Sequence, residues 1–145
     1  MPGVEHIVAV ITEDTERVAL MQHSFDQIAS NIRVVRVVDA NGVMQLQRST
    51  DDAAWEPRPV PHLIFLDAWP GQQSLDALQK LRSVDAPAEA RIIVLCRADA
   101  DTDVAQAYGL GADSCLTVST DPDQFVAMMK EAGRYWLLLN RWPTW

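Results

Sequence analysis

The sequence predicts an α/β domain of five strands alternating with five helices, folded as a doubly wound parallel sheet in strand order 2-1-3-4-5. Three observations carry this prediction. Short apolar or β-branched runs recur at residues 7–11, 32–38, 63–66, 91–96 and 114–118. Segments with apolar residues at helical spacing separate them. The third run, residues 63–66, is also continuously apolar, as strands covered on both faces are. Regular β–α alternation implies a parallel sheet with helices on both sides, and right-handed crossovers leave few arrangements for five strands.

The first strand is Ile7-Val8-Ala9-Val10-Ile11. Thr12-Glu13-Asp14-Thr15-Glu16 follows, with cap residues and first-turn acids that open a helix. Val18, Met21, Phe25 and Ile28 carry that helix toward Ser30. Residues 32–38 are rich in valine and read as the second strand. Asp39-Ala40-Asn41-Gly42 reads as a turn, and Val43, Met44 and Leu46 as a short second helix. Residues 48–61 hold Ser-Thr-Asp-Asp and the prolines Pro57, Pro59 and Pro61, and read as a loop.

The third strand, residues 63–66, runs straight into Asp67. Leu75, Leu78 and Leu81 mark a third helix that ends before Pro87, and residues 91–96 form the fourth strand. The fourth helix spans residues 101–110 and is stopped by Gly109 and Gly111. Residues 114–118 are a shorter fifth strand. Asp121 or Asp123 then caps a last helix with Phe125, Met128, Met129, Ala132, Trp136 and Leu139 on one face.

A length of 145 residues suits one domain, 1–145, with a real core. A formal charge of -8 argues against nucleic-acid binding, which wants a basic stripe, and against an anionic membrane surface. Cys96 and Cys115 suggest neither a disulfide framework nor a zinc site, and the three histidines are scattered. Neither a signal peptide nor a run of ~18 apolar residues is visible, so a cytoplasmic protein is expected.

The most informative stretch is Pro61-His62-Leu63-Ile64-Phe65-Leu66-Asp67. Open α/β sheets do their chemistry beyond the carboxyl ends of such strands. Asp67 is therefore either a functional carboxylate or a residue that caps the next helix or opens a turn. In the order 2-1-3-4-5 the first and third strands adjoin. Asp67 would then meet Thr12, Glu13 and Asp14, with Cys96 alongside.

At this point the chain resembles, over its whole length, the receiver domain of bacterial response regulators, a flavodoxin-like (βα)5 fold. Within that family it is similar to the single-domain regulators that partner phytochrome-type histidine kinases. The likeness rests on residues 61–67, on Ala105-Gln106-Ala107-Tyr108-Gly109-Leu110-Gly111-Ala112-Asp113, and on the tail from Phe125 through Tyr135-Trp136-Leu137-Leu138-Leu139. It implies a two-component signalling module with no enzymatic role, in which Asp67 accepts a phosphoryl group from a histidine kinase. It also implies Mg²⁺ held by Asp67 with Glu13 and Asp14.

Several family residues are missing. Ile11-Thr12 stands where an acidic pair is usual, and Glu13-Asp14 follow late. Cys96 replaces a Thr or Ser hydroxyl beside the phosphoryl group, Cys115 replaces the aromatic switch residue, and Val118-Ser119 replaces the Lys-Pro pair. Pro70 lies one residue nearer to Asp67 than is usual. Arg97 follows Cys96 and is the candidate to supply part of the missing charge. Phosphoryl transfer depends on positioning and charge stabilisation, so the site reads as atypical. The alternative is a phosphorylation-independent pseudo-receiver that acts as a dimeric interaction scaffold. A small flavodoxin-like ligand binder is a third reading, disfavoured because no Gly-rich loop follows the first strand.

The tail, residues 135–145, reads as an apolar C-terminal arm. A helix face of little more than 100° buries only part of it, with Trp136 and Leu139 expected against the sheet. The rest, Tyr135, Leu138, Trp142 and Trp145, is expected to form a homodimer interface. With no output module recognised in the sequence, output is expected through protein contact or phosphotransfer.

Overall fold

Strands β1 (His6–Ile11), β2 (Ile32–Val37), β3 (Leu63–Asp67), β4 (Arg91–Cys96) and β5 (Ser114–Thr117) pair in parallel in the order β2-β1-β3-β4-β5, as the sequence predicts. The computed structural model describes residues 6–51, 61, 63–67, 72–83, 90–96 and 101–139. The helices are α1 (Thr15–Asp26), α2 (Ala40–Asp51), α3 (Gln72–Leu81), α4 (Asp101–Gly109) and α5 (Pro122–Gly133). A π-helical segment, Arg134–Leu139, continues α5.

Side chains alternate across the sheet and build two cores. Val8, Val10, Leu63, Phe65, Ile93 and Leu95 face α1 and α5, and pack with Met21, Phe25, Phe125 and Met129. Ala9, Ile11, Ile64, Leu66, Ile92, Val94 and Cys96 face the other side, and pack with Val43, Leu78, Leu81 and Ala107. Every residue of β3 is buried, which explains why that run lacks polar alternation. β1 pairs with β3 so that Ile11 lies opposite Leu66. The next residues, Thr12 and Asp67, therefore leave the sheet side by side.

Helix boundaries differ from the sequence reading in three places. The expected turn at Asp39–Gly42 is instead the first turn of α2. The Asp39 carboxylate accepts the Gly42 N–H at 3.0 Å, as a helix-capping Asp does. α2 then runs through Asp51, into what reads as loop; Pro57 and Pro59 lie outside the described residues. α1 stops at Asp26, short of Ser30, because the N–H groups of Ile28 and Ala29 both close back on Phe25 O at 3.0 and 3.1 Å.

The third difference is at the end of the chain. Phe125, Met129, Ala132 and Gly133 are the buried face of α5, but Leu137 is the residue buried after them. Trp136 is only partly buried and Leu139 is 72% exposed. A π-helical turn holds more residues than an α-turn. Of the expected pair, Trp136 packs partly buried against the α1/α5-side core, whereas Leu139 does not face the sheet and Leu137 is buried instead.

Two glycines allow close approach. Gly111 has φ +103° and ends α4, where Ala112 N donates to Ala107 O and Gly111 N to Tyr108 O, a Schellman closure. Gly133 brings α5 onto α1: a Cβ there would lie 2.7 Å from Ile28 Cδ1 and 2.8 Å from Phe25 Cδ1. Among the described residues no helix is long and apolar enough to cross a membrane.

Candidate functional site

Asp67 is the last residue of β3 and is 5% exposed. It shares strand parity with Leu63 and Phe65, so its side chain leaves the sheet on the α1/α5 side. Each carboxylate oxygen has a partner there. The Thr12 hydroxyl donates to Oδ2 at 2.9 Å. Arg17 Nη1 donates to Oδ1, also at 2.9 Å, making a charge-assisted pair with side-chain exposures of 16% and 4%.

The local sequence explains how these groups converge. Asp14 is the N-cap of α1, and its carboxylate accepts the Arg17 N–H at 3.2 Å. That cap starts the helix at Thr15 and puts Arg17 in its first turn, above the carboxyl end of the sheet. Thr12 is held from the other direction, since Asp14 N donates to its Oγ1 at 3.0 Å. The hydroxyl thus accepts from the loop and donates to Asp67. Arg36, near the end of β2, fastens the same loop by donating from Nε to Thr12 O at 3.0 Å. The Arg17 guanidinium also lies 5.2 Å from the ring centroid of Phe125, in α5. One side chain therefore touches the carboxylate at the tip of β3 and the start of the last helix.

Of the residues singled out from sequence, Asp67 and Thr12 meet as expected. Asp14 is next to the site, but its carboxylate serves the helix cap. Glu13 is exposed. Cys96 ends β4, one residue beyond the Leu95 that pairs with Asp67. By strand alternation it packs in the opposite core, with Val94 and Cys115. Arg97, Trp142 and Trp145 lie outside the described residues, while Tyr135 and Leu138 are exposed at 53% and 47%.

Sequence reading gave Arg17 and Arg36 no role and placed Phe125 only on the buried face of the last helix, without its contact to Arg17. The only sequence signal for Arg17 is a cation in the first turn of a helix, beside Asp14 and Glu16, where acids are favoured.

Among the described residues, those that touch Asp67 do not fit the metal that the resemblance implies. A hard divalent ion wants several oxygen ligands, preferably carboxylates. Among the described residues, a neutral hydroxyl and a guanidinium stand beside Asp67. Among the described residues, no group of three His, Cys, Asp or Glu side chains is arranged to hold a metal ion.

On the far side of the sheet, Cys115 lies in edge strand β5. Burial, and then the adjacent Cys96, push its thiol up to about 12. The Tyr108 hydroxyl accepts the Cys115 N–H at 3.2 Å and so closes part of the sheet edge.

The arrangement is a five-stranded receiver-type fold whose central carboxylate is engaged by a hydroxyl and a guanidinium. No family model matches the sequence, and no curated protein matches it. Solved structures match it in fold. The phosphorylated cyanobacterial phytochrome response regulator RcpA is similar with a TM-score of 0.78 at 21% identity, covering 97% of this chain and 100% of its own. A response regulator from Hahella chejuensis gives a TM-score of 0.76 at 20% identity, covering 96% of this chain and 100% of its own. The Mn²⁺-bound form of the response regulator Rcp1 gives 0.74 at 19%, covering 96% and 99%. The chain has the fold of response regulator receiver domains.

Proposed function

We propose that this chain is a receiver-fold signalling module that works by protein contact, with Asp67 kept as an internal ion pair instead of serving as a metal-dependent phosphoacceptor. The observation that carries this reading is the pairing of Asp67 with Thr12 on one oxygen and Arg17 on the other. Each oxygen has a further lone pair. The negative charge that would drive attack on phosphorus is nevertheless shared with a fixed cation. The loss of the family's Lys and hydroxyl positions to Val118 and Cys96 supports the same reading, because phosphoryl transfer draws its rate from charge stabilisation.

The test is intact mass after incubation with acetyl phosphate and Mg²⁺, beside an Asp67→Asn control. The expected result is no phosphoryl gain by either protein. Stoichiometric gain by the wild type alone would overturn the reading and restore the second one, a phosphorelay receiver with Asp67 as acceptor. That second reading is favoured by the fold likeness to RcpA, a regulator solved in its phosphorylated form.

The proposed partners are a phytochrome-type histidine kinase and a second copy of the chain. Exposed Tyr135 and Leu138 on the π-helical segment support the homodimer. Light scattering of a Tyr135→Ser/Leu138→Ser variant should report loss of the dimer; an unchanged mass would reject that interface.

A further inference from the structure

The conflict between the Asp67 pocket and a divalent metal points to a substitution of one cation for another. We propose that Arg17 is a resident cation: its guanidinium supplies, from within the chain, the positive charge that the Asp67 pocket would otherwise take from a divalent ion, and so excludes that ion. This inference rests on the reading of Asp67 as an internal ion pair, but it makes a separate claim about metals.

Four observations carry it. The first is position, since Arg17 Nη1 holds Oδ1 of a carboxylate that is 5% exposed. The second is the character of the cation. A guanidinium is more weakly hydrated than an ammonium and tolerates a half-buried place with its planar face on an aromatic ring. Phe125 supplies that ring at 5.2 Å.

The third is the donor set. The loop beyond β1 offers the Thr12 hydroxyl, which already donates to Asp67; the Asp14 carboxylate serves the α1 cap, and Glu13 is exposed and not grouped with other acids to hold a metal among the described residues. The fourth is a second guanidinium. Arg36 Nε donates to Thr12 O, a backbone carbonyl of the same loop. Two arginines thus converge on the loop and carboxylate where the resemblance would place a metal, and a divalent ion brought there would meet their repulsion as well as a poor set of ligands.

The test is a Mn²⁺ titration of the full chain, followed by paramagnetic broadening of the backbone amides of Thr12, Asp14 and Asp67 in NMR spectra. The variants are Arg17→Gln, which removes the charge but keeps a shorter polar side chain, and Arg17→Ala. Thermal melting in each state confirms that the protein titrated is folded.

Wild type should show no broadening centred on Asp67 at millimolar Mn²⁺. Arg17→Gln should bind there at least about tenfold more tightly, since repulsion between close charges amounts to more than one decade of affinity even at a surface-like dielectric. Broadening centred on Asp67 in the wild type would overturn the proposal. So would a folded Arg17→Gln that gains no affinity, because something other than Arg17 would then exclude the ion.

The two readings fail separately. Phosphorylation of Asp67 that proceeds equally in Mg²⁺ and in EDTA would defeat the functional reading and leave the resident cation standing. Mn²⁺ bound beside Asp67 would defeat the resident cation whatever the mass spectrum reports.

Discussion

Removing the Arg17 guanidinium should cost more stability than a surface ion pair ever would, and the structure sets the scale. Exposed pairs contribute about 0–1 kcal/mol. Breaking a buried pair by deleting one partner costs roughly 3–5 kcal/mol, because the other charge is left uncompensated. Here the Asp67 side chain is 4% exposed and the Arg17 side chain 16%. Arg17→Ala therefore falls near the lower end, about 3 kcal/mol, including the contact with Phe125. For a domain of this size that lowers the melting temperature by roughly 10 °C.

Asp67→Asn should cost less, about 1–2 kcal/mol, because the amide oxygen can still accept from a guanidinium that retains some solvent. The double variant Arg17→Ala/Asp67→Asn should be more stable than the sum of the two losses predicts, with a coupling of about 2 kcal/mol. Urea unfolding followed by tryptophan fluorescence measures all four proteins. Losses that add within a few tenths of a kcal/mol would refute the argument. They would mean that Arg17 and Asp67 do not depend on each other, and that their 2.9 Å contact has no energetic content.

Two further predictions concern other parts of the fold. Gly133→Ala gains up to about 1 kcal/mol of helix propensity but drives a methyl to 2.7 Å from Ile28 Cδ1 and 2.8 Å from Phe25 Cδ1. The overpacking term of about 1–3 kcal/mol should win, and a thermal melt that rises would show that α1 and α5 separate freely. Cys115, pushed from 9.0 to about 12 by burial and by Cys96, should react far more slowly with a thiol reagent in the native state than in urea. Its folded pKa is raised, so its contribution to stability is complete below about pH 9 and falls as pH rises toward 12. Cys115→Ala should flatten that alkaline decline, and an unchanged slope would assign the decline to other groups.

The parts of the fold that were legible share a physical basis. Runs such as Leu63-Ile64-Phe65-Leu66 are too apolar to sit anywhere but between two helix layers, and all of β3 is indeed buried. The strand order followed from alternation and crossover handedness, rules that act on any sequence of this pattern. Where the sequence misled, one local signal served two structures. Asp39-Ala40-Asn41-Gly42 has the chemistry of a turn and of a helix cap alike, and packing of Ala40 and Val43 into the core decided for the helix. In the tail, α-helical spacing placed Trp136 correctly against the core but chose the wrong leucine, since Leu137 is buried and Leu139 is exposed.

By itself, then, the sequence determined the layers, the strand order and the placement of a carboxylate at the end of the central strand, because those follow from local pattern and backbone chirality. Set beside the resemblance, it also showed departures: Glu13-Asp14 follow the first strand late, Cys96 stands at the hydroxyl position and Val118 at the lysine position. It did not reveal which groups hold the Asp67 carboxylate. The Arg17–Asp67 contact joins residues 50 apart in the chain. It exists because the Asp14 cap sets the phase of α1, the β1–β3 register sets Thr12 beside Asp67, and Phe125 of α5 closes over the guanidinium. Only when helix phase and sheet register are combined do those side chains meet, and that combination is what the tertiary structure alone decides.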